Sequence, residues 1–398
     1  MTHPGGAGHV HAADLVRVLT FAAVIAVHTV TTLNPQDSVP TGGAAMLLHF
    51  TREAFFALTA FVLVHRYRDK LSAVPFWRRR FLLVGVPYVI WSVVYTGLAL
   101  ITTPLPPTSA LIQLGRNLLT GTAWYHLYFL VVTMQFYLVF PLFLRVLRAV
   151  ARRRTGHWWL LAGTAVLQVG INVGLHTWHP SGIPGKVLNY DGSFLGSYVF
   201  YLVLGGVAAL HADRVQAWVR GHPAVVLAAL GITGAAAEAD YLHSVHAGNV
   251  PVAASDVFQP VMVPWCVAVI TALFALGVAW SARRAGGPWS RAVEISSDRS
   301  FGVFLVHPMV LWALALGPFA WLSTQVSALC SSLVAIAVTI MVSLLVVEVL
   351  RHSPLSMVLT GKRRMRRGAP LHPERHEHST TSDSSASSPP IRLGAGRV

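Results

Sequence analysis

The sequence predicts an all-α fold, a membrane bundle of about ten transmembrane helices with both termini in the cytoplasm. Of its 398 residues, 54% are hydrophobic and only 11% are charged, whereas a soluble domain averages roughly 25% charged residues. The apolar residues form long runs, and a helix needs a run of roughly 20 to cross a bilayer core about 30 Å thick. Basic residues concentrate in alternate connections between these runs, as they do in multi-pass membrane proteins.

Each predicted span is an apolar stretch bounded by connections rich in Pro, Gly and polar residues, which break helices. Two such connections read NPQDSVPTGG and HPSGIPGKVLNYDG. The seventh span is the weakest of the set. In chain order the predicted spans are Leu15–Leu33, Ala44–Val64, Phe81–Ile101, Trp124–Leu147, Trp158–Leu175, Phe194–Leu210, Ala224–Ala237, Val257–Trp280, Phe301–Trp321 and Val326–Leu350.

Lys and Arg residues determine the predicted orientation. They cluster after the second, fourth, sixth, eighth and tenth spans, whereas the other connections hold only Arg116 and Lys186. Because Lys and Arg accumulate in cytoplasmic loops, this alternation places both termini in the cytoplasm. It also accounts for most of the net charge of +15, so we expect anionic membrane lipids as partners and do not expect nucleic acid.

The chain divides into three predicted regions. A short N-terminal segment, 1–13, precedes the transmembrane domain, 14–352. A basic tail, 353–398, contains HSTTSDSSASSPP, which cannot bury a core and is expected to be disordered. No metal site is expected, because the His residues of the tail are interpreted as solvated. Cys266 and Cys330 lie in different apolar spans and are interpreted as small hydrophobic residues.

Ionisable side chains inside the spans are the first candidates for function, because each costs roughly 2.5–3.5 kcal/mol at the centre of a membrane helix. At the start of the first helix, in DLVRVLTFAAVIAVH, Asp14 and Arg17 are three residues apart and therefore neighbours on one face. His28 shares that face with Arg17, about 16 Å further along the axis and deep in the bilayer. Two other interpretations stay open: Arg17 anchors the helix at the cytoplasmic surface beside Asp14, and His28 forms an interhelical hydrogen bond.

The second and fourth spans carry further candidates. Arg52 and Glu53 are adjacent and so point in different directions. Each either forms an ion pair with another helix or lines a polar cavity shared with His28. Trp124 fits an aromatic belt at the outer membrane interface, and His126 is placed to face the cavity of His28.

The stretch DRSFGVFLVHP, at the start of the ninth span, contains Ser300 and His307. They are seven residues apart, about two helical turns, and therefore share a face. They are candidates for the same cavity. The alternative for His307 is structural, since it precedes Pro308 and can satisfy backbone groups that are freed near a proline.

Five stretches of the chain follow one another in a recognisable order. They are Asp-x2-Arg-x10-His at Asp14, Arg17 and His28, then REAFFALTAFVL, FWRRRFLLVGVPYVIW, WYHLYFLVVTMQFYLVFPL and SFGVFLVHP. With these stretches the chain resembles the membrane acyltransferase-3 family of integral membrane O-acyltransferases, from about Asp14 to Leu350. Two departures occur: Thr59 and Ala60 stand where Ser-Gly is usual, and Leu83 and Val84 stand where the family often has a further Arg.

The resemblance implies an acyltransferase of the class that transfers groups other than amino-acyl groups. Such an enzyme moves an acyl group, commonly acetyl, from cytoplasmic acyl-CoA to a hydroxyl of a carbohydrate, glycolipid or secondary-metabolite acceptor. It implies no tightly bound cofactor, with acyl-CoA serving as donor substrate, and an integral, multi-pass location in a bacterial plasma membrane.

The resemblance also implies roles for individual residues. His28 would accept the proton of the acceptor hydroxyl, and Arg17 would anchor the donor or polarise its carbonyl. CoA phosphates would lie among basic residues on the cytoplasmic side. That donor site would consist of Arg17, Arg78, Arg79 and Arg80. The substrate cavity would be formed by Asp14, Arg52, Glu53, Trp124, His126, Ser300 and His307.

Two functions of other classes stay open from the sequence. A transporter or flippase of a glycan or small molecule would use ionisable residues at mid-membrane depth equally well. An inactive acyltransferase-like sensor or scaffold would account for the departures at Thr59, Ala60, Leu83 and Val84.

Overall fold

A computed structural model describes residues 11–178, 180–283 and 287–365, and these residues contain helices, two short 3-10 turns and connections, with no strand. The all-α prediction is therefore confirmed for this part of the chain. The helices are α1 (His11–Leu33), α2 (Val39–Leu48), α3 (Thr51–Tyr67), α4 (Ala73–Thr102), α5 (Pro107–Thr120), α6 (Tyr128–Val150), α7 (Gly156–Thr177), α8 (Gly182–Leu188), α9 (Val199–Leu210), α10 (Ala212–Gly221), α11 (Pro223–His246), α12 (Pro251–Ala254), α13 (Met262–Arg283), α14 (Pro288–Ala315), α15 (Pro318–Gln325), α16 (Ala328–His352) and α17 (Ser356–Thr360).

Eight helices among the described residues are long and apolar enough to cross a membrane, counting α2 and α3 as one. Two bent pairs raise the number to ten if each pair is a single span. One joins Leu195–Leu210 to α10 with a bend of 93°, and the other joins α14 to α15 with a bend of 65°. The predicted number of spans is thus confirmed. The seventh span, which is the weakest prediction, is present as α11, a helix of 24 residues. The orientation of the bundle stays a prediction.

Several predicted boundaries are wrong. The third span begins at Ala73 and not at Phe81, and the seventh extends to His246 and not to Ala237. The fourth span does not begin at Trp124, because residues 121–127 form turns and α6 starts at Tyr128. The ninth does not begin at Phe301, since α14 starts at Pro288. Its additional turns carry charges that a hydropathy pattern excludes, and here they are paired: Arg299 Nε lies 2.5 Å from Glu348 of α16.

The first helix is central to the bundle. It packs against α2, α3, α13, α14 and α16. We call the end at which α1 begins the Arg17 end of the bundle, and the end at which α1 finishes the His28 end. The basic connections predicted to be cytoplasmic meet at the Arg17 end, where Arg148 of α6 donates to the carbonyl oxygen of Tyr67, at the end of α3, over 3.2 Å.

Prolines inside two helices free carbonyl groups that side chains then satisfy. A proline lacks the N–H that would bond to the carbonyl four residues earlier. Pro141 frees the carbonyl of Tyr137, which accepts a bond of 2.9 Å from the Trp77 indole. Pro308 frees the carbonyl of Phe304, and His307 Nδ1 lies 2.8 Å from it. The structural interpretation of His307 therefore accounts for one of its two ring nitrogens.

The start of the predicted tail packs against the bundle. Within residues 353–365, helix α17 lies against α4, and the Trp91 indole donates to the carbonyl of Leu359 over 2.9 Å. Lys362 bonds to Asp298 of α14, and Arg351 donates to the same carboxylate over 2.7 Å. Residues 366–398 and 1–10 lie outside the described residues.

Candidate active site

Two cavities lie along one face of α1. The first, which we call the Arg17 cavity, has a volume of about 190 Å³. Its wall combines two guanidinium groups with hydroxyl groups and apolar side chains. The polar members of the wall are Arg17, Thr59, Arg80, Thr133, Tyr137 and Ser300.

Arg17 is fixed by a hydroxyl group and a carboxylate. Its Nη1 donates to Ser297 Oγ over 3.0 Å and lies 3.7 Å from Asp14 Oδ1. Ser297 in turn donates to Asp14 Oδ1 over 2.8 Å. Asp14 is buried and does not line the cavity. The predicted pairing of Asp14 with Arg17 is therefore present, and its effect is to aim the guanidinium group at the cavity.

The three arginines of the FWRRRF stretch have different environments. Arg78 and Arg79 are exposed, whereas Arg80 is partly buried and lines the Arg17 cavity. Its guanidinium carbon lies 5.5 Å from the ring centre of Tyr137, and its Nε is buried without a hydrogen-bond partner. Arg80 is thus the member of this cluster that can meet a ligand beside Arg17.

The second cavity, which we call the His28 cavity, has a volume of about 310 Å³. It lies further along α1, beside the break between α2 and α3, and polar residues at this break line it. Its polar wall consists of His28, Thr31, His49, Thr51, Arg52, Tyr125, His126 and Tyr128.

Three histidine rings meet at this cavity. His307 is fully buried behind the wall, and its ring centre lies 5.6 Å from that of His28 and 5.4 Å from that of His126. Because His307 Nδ1 faces two backbone carbonyls, it carries the proton, which leaves Nε2 as an acceptor. That Nε2 and both nitrogens of His126 are buried without a partner. Among the described residues, no group of three or more His, Cys, Asp or Glu is placed to hold a metal ion.

Arg52 places a positive charge in the His28 cavity. It donates to Tyr128 Oη over 3.1 Å, and its guanidinium carbon lies 5.3 Å from the ring centre of Phe258. No carboxylate of the described chain lies within ion-pair distance of it. Glu53 points away, as its adjacent position predicts: it is buried, absent from both cavity walls, and its Oε2 has no hydrogen-bond partner.

A layer of phenylalanine rings lies between the two cavities. Phe55 and Phe129 line both, and their ring centres are 5.4 Å apart. Phe21 lies 4.5 Å from Phe55 on the Arg17 side, and Phe304 lies 5.5 Å from Phe129 on the His28 side. We call these four residues the phenylalanine layer. The sequence predicts one lined cavity along this face, whereas the structure has two, separated by the phenylalanine layer.

The remaining predicted site residues are distributed accordingly. Ser300 lines the Arg17 cavity and donates to the carbonyl of Ser297 over 2.7 Å, so it does not share the His28 cavity with His307. Trp124 lines neither cavity and stacks on Tyr95 at 5.1 Å. Residues that the sequence analysis did not single out include His49, whose Nδ1 lies 2.6 Å from the carbonyl of Ser255. The signal that could have indicated His49 is its position as an ionisable residue inside the predicted span Ala44–Val64.

Comparison with known proteins assigns the family. The profile of the family described as acyltransferase domain, Acyl_transf_3, matches residues 10–348. The chain belongs to the acyltransferase-3 family. A relative within this comparison is the acyltransferase MdmB of Streptomyces mycarofaciens, which is 36% identical over 138 residues. The match covers 30% of this chain and 35% of the relative, so the chain spans about a third of that protein's length.

No solved structure matches the chain significantly. All residues that line the two cavities, and the four residues of the phenylalanine layer, lie within the part of this chain that matches the family. The two-cavity arrangement is therefore a property of the family region of this chain.

Proposed function

We propose that this membrane protein transfers an acyl group, commonly acetyl, from acyl-CoA to a hydroxyl group of a carbohydrate, glycolipid or secondary-metabolite acceptor. The observation that carries the proposal is the succession of two cavities along one face of α1. One presents paired guanidinium groups, and the other presents a histidine. Membership of the acyltransferase-3 family supports the same reaction class.

The donor would enter from the Arg17 end. Guanidinium groups bind phosphate through several N–H donors in a fixed plane, so Arg17 and Arg80 would hold a phosphate or the polar part of the pantetheine arm. The exposed Arg78 and Arg79 would attract the CoA phosphates before binding. The predicted orientation puts this end in the cytoplasm of a bacterial cell, where acyl-CoA is made.

Acyl transfer needs a base close to the thioester. Neutral His28 would accept the proton of the acceptor hydroxyl as its oxygen attacks the carbonyl carbon. The new carbon–oxygen bond forms, the carbon–sulfur bond breaks, and the proton passes from His28 to the departing CoA thiolate. The products are an ester and free CoA, with no other reactant required.

The negative charge on the carbonyl oxygen would be stabilised by Arg52. A preorganised cation in a cavity that excludes water stabilises such a charge strongly. Arg17 lies in the other cavity, so its role would be to anchor the donor. Arg52 shares the His28 cavity and has no carboxylate within ion-pair distance among the described residues, which leaves its charge available.

The phenylalanine layer would have to admit the narrow pantetheine arm by rotation of its rings. Between turnovers the closed layer would keep water from the Arg17 end away from the thioester and from His28. Excluding water in this way protects an activated acyl group from hydrolysis.

Acyl-CoA consumption by the purified protein tests the proposal. The protein in lipid nanodiscs is incubated with acetyl-CoA and a panel of hydroxylated acceptors, and released CoA and acylated products are measured. We expect His28→Ala to abolish transfer, whereas His176→Ala, at an exposed histidine of α7, retains it. Normal transfer by His28→Ala contradicts the proposed chemistry, and movement of an acceptor across a vesicle membrane without thioester consumption would indicate a transporter.

A comparison of cells identifies the physiological acceptor. Surface glycans, lipids and secreted metabolites are analysed by mass spectrometry with and without the protein. We expect one class of molecule to differ by the mass of a single acyl group, which names the donor and acceptor together.

A further inference from the structure

The connection between α7 and α9 forms a polar cleft that none of the roles above uses. Its volume is about 580 Å³, larger than either cavity beside α1. We call it the loop cleft. Its polar and aromatic side chains are Trp178, Lys186, Asn189, Asp191 and Asp256.

The floor of the loop cleft is fixed to the bundle. Gln135 of α6 donates to the carbonyl of Ser193 over 2.7 Å and accepts from the Leu195 N–H over 2.9 Å. Ser193 Oγ donates to the carbonyl of Thr120 over 2.7 Å. The Asp191–Ser193 turn is therefore held on two helices, which preorganises the cleft for a ligand.

The loop cleft and the His28 cavity share a thin wall. Gly192 lies against Arg52, since a Cβ atom on Gly192 would be 3.7 Å from Arg52 Nη1. The stretch that begins with α12 has the same arrangement: Val252 of α12 lines the His28 cavity, and Asp256, two residues after the helix ends, lines the loop cleft. A molecule in the cleft therefore lies next to the cavity where acyl transfer is proposed.

The side chains of the loop cleft suit hydroxyl groups. Each hydroxyl donates one hydrogen bond and accepts others, so Asp191 and Asp256 would accept from hydroxyls and Lys186 would donate to them. Burial raises the pKa of Asp191, while the Gly192 N–H and the Arg52 charge oppose this and the Asp256 charge adds to it. The flat apolar face of Trp178 fits the C–H face of a saturated ring.

The charge of the loop cleft discriminates between acceptors. The lining of the cleft contains two carboxylates and one ammonium group, so it disfavours an anionic ligand, because bringing like charges together costs free energy. Arg52, behind the Gly192 wall, offsets part of this negative charge. An uncharged ring with several hydroxyls avoids this cost.

We propose that the loop cleft binds the acceptor as an uncharged, polyhydroxylated ring, a neutral sugar or glycoside, and holds it beside the wall of the His28 cavity. That this molecule is the acyl acceptor rests on the proposed function. That the cleft binds such a ring does not, and binding can be measured without acyl-CoA.

The experiment measures glycoside binding to the full chain in lipid nanodiscs, which avoids sugar-based detergents. Saturation-transfer NMR is recorded with methyl α-D-glucopyranoside, methyl α-D-mannopyranoside and methyl β-D-galactopyranoside, and with the anionic methyl α-D-glucopyranosiduronate. The cleft variants are Trp178→Ala and Asp256→Asn. Their matched controls are Trp321→Ala, at an exposed tryptophan of α15, and Asp37→Asn, at an exposed aspartate.

We expect at least one neutral glycoside to bind, and each cleft variant to weaken binding about tenfold, as the loss of a charged hydrogen bond or a ring contact would. The control variants bind as the unmodified protein does. Binding that is unaffected by the cleft variants, absent for all neutral glycosides, equal for the uronate, or abolished by a chelator would overturn the proposal.

The outcome is separable from that of the proposed function. Glycoside binding that depends on Trp178 and Asp256, together with no consumption of acetyl-CoA, overturns the acyltransferase activity and leaves the loop cleft as a sugar site. Transfer to an acceptor without any glycoside binding overturns the cleft and leaves the activity.

Discussion

The two cavities beside α1 differ in what they can bind and in how they are built. The Arg17 cavity contains two guanidinium groups and hydroxyls, with no histidine on its wall. The wall of the His28 cavity contains three histidines, His28, His49 and His126, and the guanidinium group of Arg52. In the proposed reaction, phosphate recognition and proton transfer would therefore take place in separate cavities. One face of α1 would serve both, with aromatic rings between them.

The two cavities also differ in the groups that surround the positive charge of Arg17 and of Arg52. Arg17 lies beside a buried carboxylate, Asp14, and shares Ser297 with it. Arg52 is held by the Tyr128 hydroxyl and by aromatic faces. A guanidinium group whose charge is partly neutralised by a carboxylate suits a donor that must dissociate after each reaction. A guanidinium group without a neighbouring carboxylate suits the stabilisation of a negative charge that exists only in the transition state.

The largest expected effect in the comparison is at His28. Replacing it by Ala removes the proposed base and lowers the rate of acyl transfer by about 10²–10⁴-fold. The measurement is acetyl-CoA consumption in nanodiscs, with His176→Ala as control. An equal loss in both variants would show that the effect is not specific to the His28 cavity.

Arg52→Met is expected to lower kcat by about 10²–10³-fold, because one stabilising group of the carbonyl oxygen is lost. Arg52→Lys keeps the charge and should retain part of the rate. Arg116→Met, which removes an exposed arginine bonded to Gln113, serves as control. If Arg52→Met changes only the KM for acyl-CoA, Arg52 binds the donor and the assignment of chambers is wrong.

The donor side is tested at Arg80, where the neighbouring Arg79 gives a matched control. Arg80→Gln should raise the KM for acyl-CoA by about ten- to a hundredfold, the effect of losing charge-assisted hydrogen bonds. Arg79→Gln, at an exposed position of the same cluster, should change it little at high ionic strength, where exposed charges are screened. Equal effects of the two substitutions would mean that the cluster acts only through its surface charge.

The smallest effect is expected at the phenylalanine layer. Phe55→Leu leaves a gap between the cavities and should raise hydrolysis of acetyl-CoA relative to transfer. Phe136→Leu, at a buried ring that packs on Phe140 and Phe143 away from both cavities, controls for loss of packing. Each substitution is expected to cost about 1–3 kcal/mol of stability, so thermal unfolding is compared first. An unchanged ratio of hydrolysis to transfer in Phe55→Leu would argue against a seal.

Much of this architecture follows from one-dimensional patterns. Hydropathy predicts the spans because the bilayer imposes length and composition on each helix. The face of α1 with Asp14, Arg17 and His28 follows from helical spacing, and the pairing of Asp14 with Arg17 is present as expected. Hydropathy does not predict where α14 begins, because its first turns contain charged residues. One of them, Arg299, forms an ion pair with Glu348 of another helix.

The division into two cavities has a partial signal in the sequence. On α1, Phe21 lies one turn after Arg17, on the way to His28; on α14, Phe304 lies between Ser300 and His307 in the same way. Each helix therefore carries a polar residue, then a Phe and then a His. If the two helices are known to be neighbours, this shared order predicts a layer of aromatic rings between two polar regions. That neighbourhood is tertiary, and the sequence alone does not supply it. The loop cleft depends on Gln135, whose two bonds to a distant connection have no sequence signature.

A structure with bound donor tests the central claim most directly. The full chain in nanodiscs is imaged by electron cryo-microscopy with an acyl-CoA analogue in which a methylene group separates the sulfur from the carbonyl. We expect phosphate density beside Arg17 or Arg80, the pantetheine arm between Phe55 and Phe129, and the carbonyl group in contact with His28. An analogue that lies wholly on one side of the phenylalanine layer would contradict it.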